Sequence, residues 1–221
     1  YSFAALRADG SVVTWGVAQW GGDSSAVAAD LNGMIDVTQV SSTVLSFAAL
    51  RADGSVVTWG RQSWWQGPRT SDLDGTIDVT HVFSGCEAFA ALRADGSVVT
   101  WGDADSGGDS SAVTPALNGD IDVTQVFSTW EAFAALRVDG SLVTWGYPLC
   151  GGNSSAVAAQ IDGTIDVTQV FSNYGAFAAL RADGSVVTWG GNSFGSFGSD
   201  SSAVASELNG DIDVTHVFST G

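Results

Sequence analysis

The chain has 221 residues, and its 7 Arg (no Lys) against 24 Asp plus Glu give a formal charge of −17. Phosphate backbones and anionic bilayers are bound by clustered cations, so this balance excludes nucleic-acid wrapping and electrostatic docking on a membrane. A hydrophobic share of 45% supports a packed core, and 28 Gly against 3 Pro fit a turn-rich protein rather than a helical one.

In chain order, the first element is a strand at Phe3-Ala4-Ala5-Leu6. Asp9-Gly10 follows; between apolar runs such a pair predicts a tight hairpin with both residues at positive φ. Ser11 to Trp15 is the returning strand, rich in Val and Thr. A loop over Val17 to Trp20 comes next, then a weaker strand whose clearest copy is Ser110 to Val113. Asn32-Gly33 makes a second turn. It leads into a strand opened by Ile35-Asp36-Val37-Thr38, whose clearest copy is Ile121 to Ser128, and Thr43-Val44-Leu45 links back to the next Phe-Ala-Ala-Leu.

The whole set then recurs. Phe-Ala-Ala-Leu begins at Phe3, Phe47, Phe89, Phe133 and Phe177, and Trp-Gly begins at Trp15, Trp59, Trp101, Trp145 and Trp189, both with spacings of 44, 42, 44 and 44. Five like units (about 1–45, 46–87, 88–131, 132–175 and 176–221) fill the chain as a single domain. Tight turns join antiparallel strands, so the predicted fold is all-β: a five-bladed β-propeller of four-stranded antiparallel blades. Each Ile-Asp-Val-Thr starts 12 residues before the next Phe-Ala-Ala-Leu, and wrapping from Ile212 past Gly221 to Phe3 gives 12 again. This phase predicts closure of a monomeric ring by pairing of the N- and C-terminal strands, which would remove a free sheet edge. The same phase would arise for five units within a longer array.

No apolar run reaches membrane-spanning length, so membrane insertion is not expected. No basic segment followed by an apolar stretch opens the chain, so a leader is expected to be absent or already removed. Secretion, or inclusion in a larger exported or assembled protein, is the expected setting.

Val123-Thr-Gln-Val-Phe-Ser and the following Ala-Phe-Ala-Ala-Leu-Arg-x-Asp-Gly-Ser-x-Val-Thr-Trp-Gly, up to Gly146, resemble the regulator of chromosome condensation repeat family, and the resemblance recurs five times. It implies a propeller that binds macromolecules through loops. Members include a nuclear exchange factor for a small GTPase and a secreted β-lactamase inhibitor; most have seven blades. The exchange factor works through an inserted wedge, and no comparable insertion is present here, so exchange activity is not implied.

Variation among the five copies collects in the short links before Phe-Ala-Ala-Leu and in the loops after Trp-Gly. Strand direction predicts that both sets lie at one end of the blades, with the uniform Gly turns at the other. These loops carry the residues expected to bind a partner: Trp20, Arg61, Trp64, Trp65, Arg69, Trp130, Tyr147, Tyr174, Phe194 and Phe197. Exposed Trp, Tyr and Arg anchor interfaces, and aromatic rings also stack on sugars. The expected ligand is therefore a protein partner or a glycan. Relaxed loop drift, with the aromatics tucked between blades or Arg stacked on Trp for packing, is the competing reading, as is a recently amplified or designed array without a ligand.

No nucleophile–base constellation, phosphate loop or zinc spacing is present, so the chain is read as non-enzymatic and no cofactor is expected. One exception is weighed. Asp36, Asp78, Asp122, Asp166 and Asp213 open equivalent strands, and five carboxylates around one channel mouth would hold Ca²⁺ or another hard cation. The alternative has each Asp facing its own Arg or turn. Arg7, Arg51, Arg93, Arg137 and Arg181 are expected to pair with nearby Asp or to cap carbonyls. His81 and His216 replace Gln39, Gln125 and Gln169, which favours hydrogen bonding over catalysis. Cys86 and Cys150 are read either as bridged or as two free thiols.

Overall fold

A computed structural model describes residues 1–61, 72–191 and 198–220. Five antiparallel sheets follow one another along the chain, each from consecutive strands. The first pairs β1 (Ser2–Leu6) with β2 (Val12–Gly16). The second contains β3 (Val37–Ser42), β4 (Ser46–Arg51) and β5 (Val56–Gly60), and the third β6 (Val79–Ser84), β7 (Ala88–Arg93) and β8 (Val98–Gly102). The fourth contains β9 (Val123–Ser128), β10 (Ala132–Arg137) and β11 (Leu142–Gly146), and the fifth β12 (Val167–Ser172), β13 (Ala176–Arg181) and β14 (Val186–Gly190). The all-β propeller-like arrangement of five units is as expected.

Among the described residues four of the blades have three strands and the first has two, where four were expected. The expected fourth strand at Ser110 to Val113 is instead part of a 3-10 turn, Ser111–Ala116, repeated at Ser155–Gln160 and Ser202–Glu207. Asp109 Oδ1 accepts the Ser111 N–H at 2.8 Å, and the Val113 N–H donates to Ser110 O at 2.9 Å. The Asp side chain folds the segment onto itself, and donors satisfied locally leave no ladder to extend.

The Asp-Gly hairpins also differ in detail. The Arg7 N–H donates to Ser11 O at 2.8 Å and the Gly10 N–H to Arg7 O at 3.0 Å. This is a three-residue loop closed by Gly10 at φ 74, a form that needs positive φ at its Gly. The Asp organises it: Asp9 Oδ1 accepts from the Ser11 amide at 3.1 Å and from its hydroxyl at 2.6 Å. Each repeated Arg pairs with the Asp two residues on, from 3.1 Å at Arg181–Asp183 to 3.8 Å at Arg51–Asp53.

These carboxyls sit below their ordinary value of 3.8. At Asp9, Asp53 and Asp183 the main cause is the hydrogen bond from the serine hydroxyl. At Asp95 and Asp139 burial is the largest single influence and acts upward, but serine donors and the neighbouring Arg together outweigh it. A depressed folded-state pKa stabilises the fold fully above about 3.8, and that stabilisation is lost as pH falls through the lower folded value. Stability is therefore expected to fall steeply only below pH 4. Replacing the five Asp by Asn, which keeps an acceptor but not the charge, should flatten that fall in acid-unfolding curves; an unchanged curve would contradict it.

The core lies between blades. In each cluster, small and branched residues of one blade meet the Phe and Trp of the next: Ala88, Ala90, Val98 and Leu117 with Phe133 and Trp145, for example. Trp59, Trp101, Trp145 and Trp189 are 0–4% exposed and stack on Phe47, Phe89, Phe133 and Phe177 at 5.2–5.4 Å. A glycine of the preceding blade's loop completes each described contact. The indole N–H of Trp59, Trp145 and Trp189 donates to Gly21, Gly107 and Gly151 O at 3.0–3.1 Å.

Among the described residues no pairing joins the two ends of the array, and β1 pairs only with β2. Phe3 is 61% and Trp15 51% exposed, although they stack on each other at 5.3 Å like the buried pairs. Val214 to Ser219 repeats the sequence of β6 and lies against the fifth blade. Its Val214 N–H donates to Gly184 O at 3.0 Å and the Ser219 hydroxyl to Ser172 O at 2.9 Å. The segment has no strand partner among the described residues, and Phe218 is 90% exposed. The expected blade shared by both termini is not seen among the described residues.

Candidate functional site

The two variable loop sets meet at one end of the blades, where backbone bonds sew them together. The N–H groups of Val17, Arg61, Asp103, Tyr147 and Gly191, each just after a Trp-Gly, donate to Tyr1, Leu45, Glu87, Glu131 and Gly175 O at 2.8–3.1 Å. The links are also joined blade to blade. Val44 N–H donates to Cys86 O, Cys86 N–H to Trp130 O and Trp130 N–H to Tyr174 O. Four equivalent positions thus form a continuous track, held by backbone and free to vary in side chain. The uniform turns gather at the opposite end, where Val37, Val79, Val123 and Val167 N–H bond Gly10, Gly54, Gly96 and Gly140 O at 2.9 Å.

Trp130 and Tyr174 lie side by side on the variable face. Their rings stack at 5.1 Å with 20° between planes, and they are 39% and 45% exposed. Thr129 anchors this link: its hydroxyl donates to Cys150 O at 2.9 Å and accepts the Ala132 N–H at 3.1 Å. Tyr147 is also part-exposed, and so is Leu149, an apolar residue the sequence pattern did not single out. Trp20 lies further along the face, half-buried, with its ring edge-on to Tyr1 at 4.4 Å. Arg61 sits at the start of its loop, where its carbonyl accepts the Ser46 hydroxyl at 2.9 Å. Trp64, Trp65, Arg69, Phe194 and Phe197 lie outside the described residues.

The patch is acidic. Cys150 is a free thiol buried beneath it, 3.7 Å from Glu131 Oε2. Burial, and then Glu131, push its pKa up to about 11. Cys86 is also free, and burial followed by Glu87, Glu131 and Asp103 raises it to about 12. Both thiols stay protonated at neutral pH and are poor nucleophiles and poor metal ligands. Burial and Glu131 likewise hold the Tyr174 hydroxyl above its ordinary range. Glu131, unremarked in the sequence, thus contacts the Cys150 thiol and adds to the upward shift of Cys86 and Tyr174.

Asp36, Asp78, Asp122, Asp166 and Asp213 do not meet. Each packs on a different hairpin glycine, so that a Cβ on Gly54, for instance, would come within 2.6 Å of Asp78. Among the described residues no group of three or more His, Cys, Asp or Glu is placed to hold a metal ion. Gln39 acts as a clasp between blades. Its Nε2 donates to Val82 O at 2.6 Å and its Oε1 accepts the Val82 N–H at 3.2 Å.

Comparison with known proteins places this geometry in context. Residues 167–196 match the regulator of chromosome condensation (RCC1) repeat. No curated protein sequence matches the chain significantly. Among solved structures, Prp20p from Saccharomyces cerevisiae superposes with a TM-score of 0.56 at 17% identity, over 86% of this chain and 55% of its own. The CRINKLY WD40 ectodomain of the Arabidopsis thaliana receptor kinase ACR4 gives 0.54 at 18%, over 86% and 64%. Human WBSCR16 gives 0.53 at 18%, over 86% and 59%. The chain thus spans roughly half to two thirds of the length of these proteins, and at such identities the likeness is one of fold. Prp20p is described as binding Gsp1p and histones, and has been crystallised with Kap60. Among the described residues no helix is long and apolar enough to cross a membrane.

Proposed function

We propose that this array of RCC1-type repeats is a non-catalytic scaffold that binds a protein partner on its variable face, with Trp130 and Tyr174 at the centre of the contact. The observation that carries this reading is the join between the two variable loop sets. Backbone bonds fix where each link sits, so the side chains there are displayed on a rigid frame and little ordering entropy is lost on binding. Half-exposed aromatic rings on such a frame are the usual anchors of protein interfaces. The surrounding Glu87, Glu131 and Asp103 favour a partner with a basic or aromatic contact surface. Trp20, Arg61 and Tyr147, with Trp64, Trp65, Arg69, Phe194 and Phe197, are proposed to extend the contact along the same end. The propellers of similar fold that are described with protein partners support the reading by analogy.

Affinity capture from the native source tests it, using the wild-type chain, a Trp130→Ala/Tyr174→Ala variant and a variant of the opposite end, Asp162→Ala. The expected result is a protein retained by wild type and Asp162→Ala and lost with the double variant, whose fold is intact by circular dichroism. Equal retention by all three would overturn the assignment of the face.

A further inference from the structure

We propose that Asn153 is an N-glycan acceptor, held in a turn that presents its amide and the serine two residues on to solvent. This inference goes beyond partner binding and does not depend on it.

The sequence narrows the choice to one residue. Of the six Asn, only Asn153 has Ser or Thr two residues on, in Asn153-Ser154-Ser155, with no Pro between them and Ala156 after. That spacing supplies what the chemistry needs, an amide to carry the sugar and a hydroxyl near it. The Asn is also a departure from the repeat. At the equivalent position the first, third and fifth units have Asp23, Asp109 and Asp200, each followed by Ser-Ser.

The structure explains why Asn can stand there and what it adds. All four side chains close the same turn. Oδ1 of Asp23, Asp109, Asn153 and Asp200 accepts the N–H of the serine two residues on at 2.8–3.0 Å. The turn therefore uses one oxygen, which Asn supplies as well as Asp does. The amide nitrogen is surplus: among the described residues the bond from Ser155 is the only hydrogen bond of the Asn153 side chain. The serine hydroxyl belongs to the same turn. In the aspartate copies the serine amide and then its hydroxyl hold Asp23 and Asp109 below their ordinary value, and at Asp200 the hydroxyl leads.

Access follows from how the segment is fastened. Ser154 is half-buried, and its hydroxyl lies 2.9 Å from Thr144 Oγ1 on β11. The same pin joins Thr14 to Ser24 and Thr100 to Ser110 at 2.9 Å. The middle residue is thus tied to the sheet, while Asn153 and Ser155 on either side of it are exposed. A glycan on Asn153 Nδ2 displaces no contact of the fold.

The donor is a lipid-linked diphospho-oligosaccharide, met on the secretory route that is the expected setting of this chain. A bond forms between Asn153 Nδ2 and the anomeric carbon, the anomeric C–O bond breaks, and the lipid diphosphate leaves with the electron pair. One amide proton passes to a base of the transferase.

The test is translation of the full chain, behind a cleavable leader, in the presence of microsomes. The protease-protected fraction is read by gel mobility and peptide mass, before and after an amidase that removes N-glycans. The expected result is one amidase-sensitive glycan on wild type. Asn153→Asp keeps the turn in the form three other units use, and Ser155→Ala keeps the Asn; each is expected to lose the glycan, and Ser155→Thr to retain it. Wild type that enters the microsomes unmodified overturns the proposal, as does a glycan that persists in Asn153→Asp. The chain purified from its native source is expected to carry the glycan on the peptide spanning Asn153, and a bare Asn153 there also overturns it.

Discussion

Trp145→Ala lowers the unfolding free energy by about 3–5 kcal/mol, the range for removing a large buried aromatic from a core, while Trp15→Ala, measured at low protein concentration, changes it little. The two residues occupy equivalent positions on equivalent strands. They differ in that Trp145 is 4% exposed, packs on the preceding blade and bonds Gly107 O at 3.0 Å, whereas Trp15 is 51% exposed and meets no preceding blade among the described residues. For a chain of this size the larger loss corresponds to a drop of roughly 6–20 °C in Tm. Thermal and urea unfolding at sub-micromolar concentration decide the matter. Equal losses at both positions would mean that Trp15 is buried in the isolated chain, and hence that its ends close on each other.

The contrast bears on how the array is stabilised. Each blade lends its small-residue face to one neighbour and its Phe–Trp pair to the other, so stability is a sum over blade-to-blade contacts. An interior truncation removes one whole blade-to-blade contact; truncating Trp15 removes only its exposed stack on Phe3.

Five like units and their all-β nature were legible because Phe-Ala-Ala-Leu, Asp-Gly and Trp-Gly recur in one register, and alternation of apolar residues reports strands whatever surrounds them. The fourth strand was misread because Ser-Ser-Ala-Val carries a β-branched residue, while the determinant is the carboxylate of Asp109 two residues before Ser111, which competes for the backbone. The gathering of variable loops at one end could be read from strand direction alone. The track from Val44 through Cys86 and Trp130 to Tyr174 could not, because it is made of peptide groups that every sequence shares. The carboxylate ring failed for a related reason. Equivalent positions in a repeat are equivalent to their own neighbours, here a hairpin glycine each, and need not be close to one another. The role of the loop glycines was half visible: Gly21, Gly107 and Gly151 precede Trp59, Trp145 and Trp189 by the same 38 residues, but the reason for glycine appears only once Phe is seen against it.

That role gives a second large effect. Gly107→Ala is expected to destabilise the chain by about 2–5 kcal/mol, combining about 1–2 for a left-handed backbone with a Cβ and about 1–3 for overpacking. Its φ is +97, and the new methyl would fall 2.7 Å from the Phe133 ring, itself fully buried and unable to retreat. Gly198→Ala is expected to carry only the first of these costs, since among the described residues its Cβ would meet only Asn173 Nδ2, at 3.8 Å. The difference between the two variants in urea unfolding therefore isolates the aromatic contact from the backbone. If both variants lose equal stability, the glycines serve the turn alone.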